Sequence, residues 1–171
     1  MLAPANSPRP AASFEELKPA CQVLILHEDF LAYTRAVEVC RRVMKQFADE
    51  LDFGIKCWNF IELADPNCAR HAAKTAGVAD VVLLSLSTAQ PAVELGRWLD
   101  LSFVSRFKED GALVLLRNNP GLLEAEQNKL VSHLEQLAAR MRMDFMCISP
   151  NDSNAITEIL PGTAVNSDLR P

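Results

Sequence analysis

Ala79-Asp-Val-Val-Leu-Leu-Ser-Leu-Ser87 decides how the rest of the chain is read. A charged start, an unbroken apolar run and a polar exit through Thr88, Gln90 and Pro91 describe a strand buried on both faces. Such a strand belongs in the middle of a parallel sheet with helices on either side. Ligands in sheets of that kind gather beyond the carboxyl ends of the strands. The polar exit at Ser85, Ser87 and Thr88 is therefore the first place to look for a site.

Working outward, Cys21-Gln-Val-Leu-Ile-Leu26 and Gly111-Ala-Leu-Val-Leu-Leu116 are runs of the same kind and are expected to flank the central strand. Phe53-Gly-Ile-Lys-Cys-Trp-Asn-Phe60 alternates, with Phe53, Ile55 and Cys57 on one side and Lys56 on the other, which suits an edge position. Asp144-Phe-Met-Cys-Ile-Ser149 is the last strand.

Between these runs the period changes to that of helices. From Phe30, the apolar residues Tyr33, Ala36, Val37, Cys40, Val43, Met44, Phe47 and Leu51 recur at steps of three and four, behind Asp29 as N-cap. Asp65-Pro66 caps a second, alanine-rich helix (Ala69, Ala72, Ala73, Ala76) for which Gly77 is the expected stop. Residues 92–108 read as a third helix, with Leu95, Trp98, Leu99 and Ser102 in one stripe. Leu101, Val104 and Phe107 fall outside that stripe, and their apolar excess marks them as candidates for a self-association surface. Asn119-Pro120 opens a fourth helix whose stripe is Leu123, Leu130, Leu134, Leu137 and Met141. Residues 154–160 are expected as a short closing helix.

Five strands alternating with helices give a three-layer α/β/α sandwich around a five-stranded parallel sheet, with right-handed crossovers. The order 2-1-3-4-5 follows from placing the most apolar strands inside and the alternating one at the edge. The domain is expected over residues 20–161, behind a proline-rich disordered leader at 1–19 and ahead of a loose tail at 162–171.

At 171 residues this is one domain's worth of chain, 49% hydrophobic and 23% charged. The net charge of -5 argues against nucleic acid as a partner, because neutralising phosphates needs clustered Lys and Arg. No apolar run reaches the roughly 20 residues of a membrane span. Five cysteines, an odd number spread through core elements, suit reduced thiols and a cytoplasmic location.

The strand ends gather His27, Glu28 and Asp29; Ser85, Ser87 and Thr88; Arg117 and Asn118; and Ser149 into one crevice. Glu28 and Asp29 are the one carboxylate pair suited to a hard cation such as Mg²⁺. Asp29 also serves as a helix cap, and no metal or other cofactor is required by the sequence. A phosphate-bearing cofactor would need a Gly-rich loop, which follows none of the strands. Ser85 lies in no Gly-x-Ser-x-Gly elbow, and His27, at a strand end next to two acids, is expected in a structural role. Cys68 and His71 share a helix face but supply only two of the three or four ligands a soft metal takes.

Val23-Leu-Ile-Leu-His-Glu-Asp-Phe30 and Asp80-Val-Val-Leu-Leu-Ser-Leu86 resemble the first and third strands of response-regulator receiver domains, members of the flavodoxin-like class of folds. That resemblance implies an acidic pair, Glu28 and Asp29, where receivers hold Mg²⁺. It also places Ser85 at the phosphoacceptor aspartate, Arg117 at the phosphate-sensing Ser or Thr, and Ser149-Pro150 where a lysine follows. A serine forms no acyl phosphate, so the resemblance implies a receiver-like domain without phosphotransfer chemistry. The expectation is a non-catalytic module acting through a protein partner or as a homodimer. The alternative is a small-molecule binder or enzyme that uses Glu28, Asp29, Ser85 and Arg117 in the crevice.

Overall fold

The computed structural model describes residues 17–88, 93–104, 106–117 and 124–149, with the side chains of 103, 104 and 124–127 outside that description. Residues 1–16 and 150–171, where most of the leader, the closing helix and the tail are expected, lie outside the described residues. So do Asn118 and the Asn119-Pro120 cap.

The five strands are β1 (Ala20–His27), β2 (Asp52–Asn59), β3 (Val81–Leu86), β4 (Ala112–Arg117) and β5 (Asp144–Ile148). They pair in parallel in the order β2-β1-β3-β4-β5, as expected from their apolar content. Every residue of β3 is buried. β2 lies at one edge and is half-buried at best, which agrees with its alternating pattern. The register aligns His27 with Asn59 on one side and with Ser85 on the other, so three carboxyl ends finish level.

Helix α1 (Phe30–Gln46) covers one face through Ala36, Cys40 and Val43, against Cys21, Val23, Ile25 and Leu83. Helices α2 (Pro66–Val78), α3 (Val93–Val104) and α4 (Glu124–Arg140) share the opposite cluster with Leu24, Leu26, Leu84 and Leu115. Burial pushes the Cys21 thiol up to about 11 and the Cys40 thiol up to about 12, which makes both poor nucleophiles near neutrality.

The two expected N-caps that fall among the described residues are present. Asp29 Oδ1 accepts from the Ala32 amide at 2.7 Å, and Asp65 Oδ1 accepts from the Asn67 and Cys68 amides at 2.9 Å. The Ala32 amide holds the Asp29 carboxyl below the ordinary aspartate value, and the Cys68 and Asn67 amides do the same for Asp65. The ionised caps thus add stability that is fully present above the unfolded aspartate pKa and is lost as pH falls through the lower folded values. Acid titration followed by helical circular dichroism should lose stability below about pH 4, with a shallower fall in Asp29→Asn/Asp65→Asn. An unchanged acid limb in that variant would refute the assignment.

Three local features differ from expectation. Between β2 and α2 the chain makes a 3₁₀ turn at Phe60–Ala64, fixed by a capping box between Asn59 and Glu62. Helix α2 runs through Gly77 to Val78 instead of stopping there. Helix α3 ends at Val104, short of residue 108, because the backbone amides of Phe107 and Lys108 turn to the Gly77 carbonyl at 3.1 and 3.2 Å. Phe107 therefore belongs to a strap across the amino end of the sheet and is 84% exposed, while Leu101 on α3 is 53% exposed. The Val104 side chain lies outside the described residues.

Candidate functional site

The crevice is built where β1 delivers His27, Glu28 and Asp29 beside the exit of β3. Glu28 occupies its centre. Its Oε2 accepts from the Ser87 amide at 2.8 Å and the Thr88 amide at 2.9 Å, and its Oε1 accepts from the Thr88 hydroxyl at 2.5 Å. Its own amide donates to the Ser85 carbonyl at 3.2 Å, and its carbonyl accepts from Asn59 Nδ2 at 3.3 Å. One residue thus ties the ends of β1, β2 and β3 together.

Backbone amides converging after a strand form the kind of concavity that takes an anion. Here the anion is supplied from within the chain. Glu28 takes the donors a phosphate would use.

The neighbouring candidates are engaged as well. Ser85 is 0% exposed, and its hydroxyl donates to the Ala32 carbonyl at 2.8 Å, fastening β3 to the first turn of α1. Both side chains belong to the α1 face of the sheet, because the register pairs Ser85 with His27. His27 Nδ1 lies 3.1 Å from the Asp29 carbonyl oxygen, and its ring packs on Tyr33 with centroids 5.0 Å apart. Asp29 caps α1 as described. The Ser87 hydroxyl is buried and meets no partner at hydrogen-bond geometry among the described residues. Thr88 is exposed, whereas Arg117 and Ser149 are half-buried and each engaged by neighbours. Asn118 lies outside the described residues.

Taken together, the structure brings His27, Glu28, Asp29, Ser85, Ser87 and Thr88 to one place. It spends most of their polar atoms on the backbone. Among the described residues no group of three His, Cys, Asp or Glu side chains is placed to hold a metal ion. The Glu28 and Asp29 carboxylates, the expected cation pair, each accept from backbone amides. No helix among the described residues is long and apolar enough to cross a membrane.

Sequence reasoning missed two features. Asn59 is one, since nothing local marks a strand-end Asn as a bridge to β1. The other is a second concavity of about 610 Å³ between β2 and α2, lined by Lys56, Cys57, Trp58, His71, Lys74 and Thr75. Its signal was present in part: His71, Lys74 and Thr75 sit at helical spacing on one face, and Lys56 points away from Ile55 and Cys57.

No family model and no curated protein matches the chain. Among solved structures it is similar to the flavodoxin-like domain of a Synechococcus sp. protein. The TM-score is 0.51 at 16% identity, covering 80% of this chain and 88% of that one. It is also similar to Trp repressor binding protein from Bacillus subtilis, with a TM-score of 0.48 at 7% identity over 82% of this chain and 98% of that one. At 16% identity the first likeness shows the fold, a flavodoxin-like α/β sandwich.

Proposed function

We propose that this flavodoxin-like α/β domain is a non-catalytic module that works through contacts with other protein chains, a copy of itself included. The observation that carries this reading is the Glu28 carboxylate on the Ser87 and Thr88 amides. A strand-end site that binds phosphate keeps such donors open for its ligand. This one is closed by a residue of its own, and the hydroxyl at Ser85 is committed to the Ala32 carbonyl. The alternative, a ligand held by Glu28, Asp29, Ser85 and Arg117, would share the two carboxylates with backbone amides and would reach Ser85 only at a fully buried hydroxyl. The exposed Leu101 and Phe107, with Val78 adjoining the Gly77 carbonyl that receives the Phe107 amide, offer an apolar surface for association.

Thermal shift against flavin mononucleotide, nucleotides, sugar phosphates, inorganic phosphate and Mg²⁺ tests the reading. A ligand present at about 100 times its Kd would add about 2.7 kcal/mol, or roughly 5–10 °C in Tm for a domain of this size. The expected result is no shift for any of them. A rise of several degrees with one would reverse the order of the two readings.

A further inference from the structure

We propose that the outer edge of β2, with the groove between it and α2, takes up an acidic, extended peptide segment as a sixth strand. The inference goes beyond the strand-end reading and does not depend on it.

Its first support is geometric. Lys56, Cys57 and Trp58 are consecutive in β2, yet all three line one concavity. Successive side chains of a strand point to opposite faces, so Lys56 and Trp58 share a face and Cys57 points the other way. The concavity therefore borders the outermost strand of the sheet, and the main-chain groups of β2 that face away from β1 lie along that same edge. Among the described residues β2 pairs with β1 alone, over its whole length from Ala20↔Asp52 to His27↔Asn59. Among the described residues no second strand covers this eight-residue edge, and adding a strand to such an edge is a common mode of peptide recognition.

Charge selects the occupant. Lys56 and Lys74 are exposed, and neither is paired with a carboxylate among the described residues. Among the described residues the concavity is lined by no acidic side chain, although the chain as a whole carries a net charge of -5. His71 contributes an imidazole donor beside them. Trp58, partly buried against the α2 cluster, supplies a flat apolar surface between the cations. The segment that fits is therefore one in which acidic and apolar side chains alternate. Its acids meet Lys56 and Lys74, and its main chain pairs with the rim.

The test uses the full chain and a fluorescein-labelled peptide of alternating Glu and Val, matched to the length of β2, followed by fluorescence anisotropy. Saturable binding is expected, with hydrogen-exchange protection gained at the β2 amides. Lys56→Glu/Lys74→Glu should weaken it by about tenfold or more, because two opposite-charge contacts become repulsive. Both lysines are exposed, so the variant should keep the wild-type Tm; a second pair, Lys56→Gln/Lys74→Gln, should weaken binding by a smaller factor. Raising salt from about 0.1 M to about 1 M shortens the screening length from about 10 Å to about 3 Å and should weaken it too. Three results would overturn the proposal. They are no binding of the peptide, equal binding of a Lys-Val peptide, or displacement by inorganic pyrophosphate without protection of β2, which would mark a small-anion site instead.

Discussion

Replacing Trp98 by Ala should destabilise the domain by about 3–5 kcal/mol, the usual range for removing a large aromatic from a core. Trp98 is 1% exposed and shares a cluster with Phe60, Leu95 and Leu99, between α2 and α3. Its indole Nε1 donates to the Ala69 carbonyl at 3.2 Å, so the side chain fills the space between the helices with its own buried donor satisfied. The alanines of α2 let that helix approach closely, which leaves no longer side chain able to move into the gap. Trp98→Phe retains most of the ring and forfeits the hydrogen bond, so it should cost markedly less. Urea unfolding followed by circular dichroism gives both values. A Trp98→Ala loss under 1 kcal/mol would mean that the α2–α3 contact lies outside the cooperative core.

The second large effect is expected at Gly111. Its φ of 154° lies where side chains are rarely accommodated, which alone costs about 1–3 kcal/mol for another residue. An added Cβ would also stand 2.6 Å from Arg106 Nη2 and 2.8 Å from the Asp80 carbonyl oxygen. Neither neighbour moves freely. The Asp80 carbonyl accepts from the Ala112 amide at 2.8 Å, and the Arg106 guanidinium is fixed on the carbonyls of Ala76, Ala79 and Asp110. Asp80 in addition joins Lys108 and the Gln22 amide, so a displacement there reaches β1, β3 and β4 together. Gly111→Ala should therefore lose about 3–5 kcal/mol in the same unfolding measurement. Stability within 1 kcal/mol of the parent would show that the strap at 106–110 yields easily.

The strand order could be read from the chain because burial writes itself into composition: β1, β3 and β4 are almost wholly apolar, and β2 alternates. Caps were legible at Asp29 and Asp65 because an N-cap is a local device. The overlong α3 was a failure of the same local reasoning. Apolar periodicity continues through Phe107, but the acceptor that ends the helix, the Gly77 carbonyl, comes from another helix. The site was legible only as a set of strand ends. Glu28 meets Ser87 across 59 positions of sequence, and no pattern announces that its carboxylate turns inward. Lys56 and His71 looked like unrelated surface residues until the edge position of β2 placed them on one groove.

Glu28 also makes the strand-end loop its own competitor. A tethered carboxylate need not be gathered from solution, so any outside anion meets a loop that is open only part of the time. Its apparent affinity falls by that open fraction. With hydrogen bonds to a charged acceptor worth about 1.5–3 kcal/mol, the toll is about tenfold to a hundredfold. An outside anion must displace Glu28 before it reaches the Ser87 and Thr88 amides, and a single substitution at Glu28 would remove that competitor while leaving the sheet beneath it in place.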